Sequence, residues 1–243
     1  RGFSGGNPVN VAVHSARHGM RPAYIGWVGE DAWGEQLRRE LGAKGVDVSH
    51  VHIKPGSTAL TFVELHGSDR VLGDYAEGVM SDFYLSEQDL AWIGQFDMVH
   101  AGIWGHVEPY LAGLRARGKI ISFDFADKWD SPLWRELPPS LDYAFASASA
   151  DTPELRGRLR EVTSMGAGTA IATLGAEGSL AYDGQQFYRQ CALPVNIVDT
   201  MGAGDAFIAG FLYAAACGLG VKQAMEQGAA GAARTLQCQG AWD

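Results

Sequence analysis

Cysteine is scarce in this chain: Cys191, Cys217 and Cys238 are the only three among 243 residues. Their number is odd, and their spacing fits neither a metal knot nor a dithiol redox pair. Buried thiols of a reducing compartment are therefore expected. Positive charge is short as well. Lys and Arg number 19 against 28 Asp and Glu, and the net charge of -9 leaves no basic face for a nucleic-acid partner. No apolar run approaches the ~20 residues of a membrane span, and no secretory leader is visible. The expected location is cytoplasmic, without a membrane partner. Repeats, low-complexity tracts and flexible linkers are also missing. What remains is 47% hydrophobic and 19% charged, an ample supply of core for a globular domain.

The apolar pattern alternates between two periods. Residues 24–29 read as a buried strand, Asp31 as the cap of a helix over 32–44, and Gly45 as its stop. A helix capped at Ser86 precedes a strand at 97–101, and a helix over 106–117 precedes one at 119–124. Strands at 143–146, 169–174 and 195–198 follow, and two small-residue helices over 203–217 and 221–237 close the chain. This alternation implies one α/β domain over 1–243, with a mostly parallel central sheet and helices on both faces. Ligands of such sheets bind at the C-terminal strand ends, where Gly102, Asp124, Thr173 and Asp199 fall. The stretch 48–76 breaks the rhythm. Its runs at 51–53, 60–65 and 70–75 read as a small antiparallel β sheet, serving as substrate cover, homodimer contact or both. The start, Arg1-Gly2-Phe3-Ser4, lacks the apolar run that opens such domains, so a strand upstream is expected.

The most informative segment is DTMGAGD, residues 199–205, which leads into the helix over 203–217. Gly202, Ala203 and Gly204 place unpaired N–H groups at a helix start, where an anion can approach closely. Asp205 in the first turn is placed to take a proton from an attacking hydroxyl. The plainer alternative is that Asp205 only caps the helix. Near the start, GGNPVN over 5–10 sets Gly5 and Gly6 before a helix, with Asn7 and Asn10 facing the turn. Asparagine carries both donor and acceptor and suits vicinal sugar hydroxyls, although Gly-Asn is also ordinary capping. The run Thr173, Leu174, Gly175, Ala176, Glu177, Gly178 ends a strand in a glycine turn. It reads equally as a nucleotide contact and as a tight turn to the next strand.

In this order the pieces resemble the ribokinase/PfkB family of carbohydrate kinases, over essentially the whole chain. GGNPVNVA at 5–12, TLGAEG at 173–178, DTMGAGD at 199–205 and Gly240-Ala241 carry the match. The resemblance implies a ribokinase-like fold and transfer of phosphate from ATP, with Mg²⁺, to the 6-hydroxyl of a ketose-type sugar. Fructoselysine is the first candidate, on the runs GDYAEGVM at 73–80 and HAGIWGH at 100–106. Another ketose, a nucleoside, or a non-catalytic sugar-binding regulator on the same scaffold are the alternatives. By position, Asp205 is the implied base and Gly202, Ala203 and Gly204 the anion hole. Gly6, Asn7 and Asn10, with Gly5 beside them, are implied sugar contacts, and residues 173–178 with Gly204 nucleotide contacts. Trp104 is a further sugar-side candidate because it follows a strand at the ligand edge. Glu77 with Asp74 reads equally as a partner for the lysine ammonium and as solvated lid charge. Asp199, Thr200 and Gly240 would border a loop for K⁺. The amides of 202–204 are also expected to hold Asp205 as an anion, making it a weak base.

Three departures stand out. The family's opening strand, with its sugar-binding Asp, has no counterpart here. The Asn-x-x-Glu run that handles Mg²⁺ reads SASA at 147–150, so no residue is assigned to the metal. Lys128 replaces an Arg, as a point charge for phosphate without a bidentate fork. His50 and His52 share one strand face with no third ligand in view and are assigned to the lid surface. His14 and His18 read as structural.

Overall fold

The computed structural model describes residues 3–66 and 69–242. Its elements are α1 (Asn7–Arg17), β1 (Gly26–Gly29), α2 (Ala32–Ala43), β2 (Val51–Lys54), β3 (Leu60–His66), β4 (Asp69–Ala76), α3 (Glu87–Ile93), β5 (Met98–Gly102) and α4 (Glu108–Ala116). There follow β6 (Ile120–Asp124), α5 (Leu133–Glu136), β7 (Tyr143–Ser147), α6 (Pro153–Ser164), β8 (Thr169–Thr173), β9 (Ser179–Tyr182), β10 (Phe187–Gln190), α7 (Ala203–Ala216) and α8 (Val221–Thr235). The caps read from the sequence are in place. Asp31 accepts from Gly34 N–H at 2.9 Å, and Ser86 forms a reciprocal capping box with Asp89.

Six strands form one sheet in the order β10-β9-β8-β7-β6-β5. β5 to β8 run parallel, whereas β9 and β10 are antiparallel. Side chains alternate between the two faces with the strand period. Ala144, Ala146, Ala170, Ala172 and Leu180 pack with Leu111, Leu114, Leu155 and Leu159 of α4 and α6. Phe145, Ile171 and Ala181 point the other way, against Phe207, Phe211, Leu212 and Met225 of α7 and α8. Both faces are therefore covered by helices, as a parallel sheet requires. α1 ties this second layer to α2, since Val11 joins the α7 cluster while Val9 and Val13 pack with Leu41.

The structure departs from the sequence reading in three places. Val51–Lys54 is not part of the antiparallel sheet. It pairs in parallel with β1, drawn there by burial of Val51 and Val28, and of the three runs β3 and β4 alone pair antiparallel with each other. Residues 195–198 form no strand. They cross the end of α8, where Val198 N–H donates to Leu236 O at 2.8 Å and Ile197 is 62% exposed. Finally, Cys191 and Cys217 are exposed and Cys238 is half-buried, all as free thiols. They fall at the ends of β10, α7 and α8, where the chain turns over the surface. No described helix is long and apolar enough to cross a membrane.

Candidate active site

The loop before α7 ends on Gly202, whose φ of 73° lies in the left-handed region. The first i→i−4 bond of the helix is Ala206 N–H to Gly202 O at 2.9 Å, so the amides of 203–205 precede the ladder. Ala203 N–H reaches Thr200 O only at 3.4 Å. These amides border a crevice of about 180 Å³ lined by Asp124, Ser147, Thr173, Gly202, Gly204 and Asp205. It opens at the C-terminal ends of β6, β7 and β8, the ligand edge of this sheet type.

Asp205 does not cap its helix. Its Oδ1 accepts Asn7 Nδ2–H at 2.7 Å and its Oδ2 accepts Asn10 Nδ2–H at 2.6 Å. The same Asn7 nitrogen donates its second hydrogen to Asp124 Oδ2 at 2.7 Å. One amide thus bridges two half-buried carboxylates. Both amide orientations are set from behind. Trp242 Nε1–H donates to Asn10 Oδ1 at 2.8 Å, so the Asn10 NH₂ must face Asp205. His100 Nε2–H donates to Asn7 Oδ1 at 3.3 Å, and its Nδ1 accepts from Ser122 Oγ at 2.9 Å. Burial pushes His100 down to about 3, which keeps the ring neutral for this relay.

Burial pushes Asp205 above the ordinary carboxylate range, against the lowering effect of the Asn10 and Asn7 amides. This corrects the expectation of a base weakened by the loop amides: the hydrogen bonds to Asp205 come from α1, and desolvation dominates. Asp124 is pushed up from 3.8 to about 7, chiefly by burial, with the Asp205 charge adding to the rise and the Ala126 N–H opposing it. Ala126 itself takes a φ of 51°, unusual for a residue with a Cβ, to point that N–H at Asp124 Oδ1 at 2.9 Å.

A carboxyl whose folded value is raised favours the folded state below its unfolded value and loses that contribution as pH climbs through the folded one. Asp124→Asn removes the ionisation. Relative to the parent, the variant's melting temperature should climb as pH rises from about 4 to about 7 and level off above, by a few °C at ~2–4 °C per kcal/mol. This gain sits on top of a pH-independent cost of the new amide N–H facing the Asn7 or Ala126 donor. Melting curves across that range test it, and a difference independent of pH would refute the assignment.

The other expected residues are distributed as follows. Gly5 and Gly6 precede α1, with Gly6 at its N-cap at a φ of 111°. Thr173 lines the crevice and shares a hydrogen bond with Ser147 Oγ at 3.1 Å. Leu174 is buried, and Gly175, Ala176, Glu177 and Gly178 form the turn from β8 into antiparallel β9, closed by Leu174 N–H to Gly178 O at 2.8 Å. Glu177 pairs with Arg189 at 3.3 Å. Lys128 pairs with its neighbour Asp127 at 2.9 Å and does not line the crevice. Asp199 is brought to Gly240 as implied, accepting its N–H at 2.7 Å and that of Met201 at 3.0 Å, with Thr200 exposed beside it. Glu77 lies 3.6 Å from His106 Nε2, and Trp104 is 44% exposed just past β5. His14 is structural: burial holds it at about 4, and its Nε2–H donates to Ala241 O at 2.9 Å. Asp124, at the ligand edge, and His100, in the HAGIWGH run, were singled out without a role in the carboxylate cluster, and Trp242 was not singled out.

The chain matches the model of the pfkB family carbohydrate kinases over residues 2–243. It is 57% identical to a fructoselysine 6-kinase of Shigella flexneri over 242 residues, covering 100% of this chain and 93% of that protein. A fructoselysine 6-kinase of Escherichia coli strain K12 is 56% identical with the same coverage. Among solved structures, an Arabidopsis thaliana ribokinase complexed with ribose and ATP superposes with a TM-score of 0.87 at 23% identity, covering 97% of this chain and 82% of that one. With a helix-start anion crevice, a half-buried aspartate beside it and a match along its length, the chain belongs to the pfkB family of carbohydrate kinases.

Proposed function

We propose that this kinase transfers the γ-phosphoryl group of ATP to the 6-hydroxyl of fructoselysine, a ketose-type sugar. The observation carrying the substrate is the identity with fructoselysine 6-kinases along the whole chain. The nucleotide's phosphates lie against the amides of 203–205, and the sugar lies beside Asp124 and Asp205 under the hairpin β3–β4. The hydroxyl oxygen attacks phosphorus, its proton passes to Asp205, and ADP leaves. The amide N–H groups meet charge on the equatorial oxygens. Asn7 and Asn10 hold the carboxylate in place until sugar hydroxyls compete for their amides. Glu77, 3.6 Å from His106, and the exposed Trp104 past β5 suit the lysine part of the substrate.

Mg²⁺ is the expected metal. The crevice offers two carboxylates already bonded to amides and the hydroxyls of Ser147 and Thr173. That sparse donor set fits an ion held mainly by nucleotide phosphates and water, where it neutralises charge. At the Asp199 loop both carboxylate oxygens accept main-chain N–H groups, so K⁺ there would take main-chain carbonyls. The hairpin leaves Phe62 59% and Tyr75 40% exposed, a face suited to covering the sugar and to a homodimer contact.

A coupled ADP-release assay over fructoselysine, psicoselysine, fructose and ribose tests this reading. Fructoselysine should give a kcat/KM higher by roughly tenfold or more. A higher value on another sugar overturns the substrate, and ADP release independent of any sugar overturns the kinase site.

A further inference from the structure

Outside the crevice, one cluster of side chains has metal-ligand chemistry. His50 Nδ1 lies 2.9 Å from Asp89 Oδ1, and His52 Nε2 lies 2.9 Å from the same oxygen. One donor atom from each residue falls within 4.8 Å of the other two, the only such trio among the described residues. The two histidines share a face because they are two apart across the start of β2. The third ligand that the local sequence withheld arrives from α3, 39 and 37 residues further along.

We propose that His50, His52 and Asp89 bind a divalent transition ion of the Zn²⁺ type, which staples the two roots of the hairpin segment together. Two imidazole nitrogens and one carboxylate oxygen favour such an ion over Mg²⁺ or Ca²⁺. Tetrahedral Zn²⁺ with bonds near 2.0–2.1 Å sets its ligand atoms about 3.3 Å apart, a few tenths beyond the N–O spacings here. Each ring then keeps its proton on the other nitrogen and gives a lone pair to the metal. The supports behind the ligands are built. Asp89 is 3% exposed, and its Oδ2 accepts Ser86 N–H at 3.0 Å and Ser86 Oγ–H at 2.7 Å. The His50 ring stacks on Trp92, with centroids 4.0 Å apart. The His52 side chain is 39% exposed, which leaves an entry path and a fourth position for water.

The site joins β2, which leads into β3, to α3, which follows β4. A bound ion would therefore close the segment 55–86 at its base and reduce the freedom of the hairpin's roots. The inference is independent of the phosphoryl-transfer reading, since none of the three residues lines the crevice.

The test uses the full chain stripped with EDTA and titrated with Zn²⁺ by calorimetry, with Co²⁺ as a spectroscopic stand-in. Wild type should bind one equivalent in the micromolar range or tighter and give the intense visible band of four-coordinate Co²⁺. His52→Gln, at a part-exposed position that leaves the fold alone, should weaken binding roughly tenfold or more and lose that band. Zn²⁺ should also slow proteolysis within 55–86 in wild type and not in the variant. Binding weaker than ~100 μM in wild type, or equal binding in His52→Gln, overturns the site. Zn²⁺ bound without added protection overturns the staple.

Discussion

Replacing Asp205 by Asn should lower kcat by roughly 10²–10⁴ while KM for ATP and sugar changes little, because the lost event is proton acceptance rather than binding. The substitution keeps the shape and the Oδ1 contact. It also turns one acceptor into a donor facing an Asn amide whose orientation Trp242 or His100 has already set. That donor–donor contact costs about 1–3 kcal/mol, offset by removal of a desolvated carboxyl, so the fold should survive. Steady-state rates with a melting curve on the same sample decide the matter. Near-normal turnover from a folded variant would remove Asp205 from its role. The pH profile offers a second check. With the base raised by burial, wild-type kcat should begin to fall with acid at a higher pH than an exposed carboxylate would give.

Gly202→Ala should be nearly as damaging for a different reason. A Cβ there would lie 2.7 Å from Ala241 Cβ and 2.8 Å from its Cα, and φ is 73°. The left-handed backbone costs ~1–2 kcal/mol and the overlap more, so melting should drop on the order of 5–10 °C. Ala241 O is held by His14, and the next residue, Trp242, orients Asn10. The displacement therefore reaches both the amide cradle and the carboxylate, and kcat/KM should fall roughly 10²–10³-fold. Gly204→Ala is the control. Its Cβ would meet nothing within 4 Å, so melting should hold while the methyl group enters the crevice and raises KM for ATP. If both variants melt together with equal rates, the loop is packing rather than chemistry.

The parallel half of the sheet was legible because each strand carries an apolar run bounded by helix caps, as at Ser86 and Asp31. β9 and β10 were not, since four residues each are too few for a period to show. Asp205 was readable because its anion loop lies beside it in the chain. Asn7 and Asn10 were singled out, yet their bonds to Asp205 were hidden by sequence separations of 198 and 195. Asp124 was legible as a strand end at the ligand edge and His100 as part of the HAGIWGH run, but their bonds to Asn7 span 117 and 93 residues and had no local sign. Trp242 carried no signal at all. His50 and His52 failed in the same way, their partner lying on another element. Local chemistry could be read from the chain, whereas partnership across it needed the fold.

The clamp on Asp205 has a consequence for synthesis. Asn10 and His14 precede their partners Trp242 and Ala241 by 232 and 227 residues, so α1 leaves the ribosome long before them. Contacts of such span close loops of more than two hundred residues, and that loop entropy must be overcome before they form. A nascent chain that lacks residues 241–242 therefore carries an unarmed nucleotide loop, and phosphoryl transfer reports that α1 and this distant segment have met.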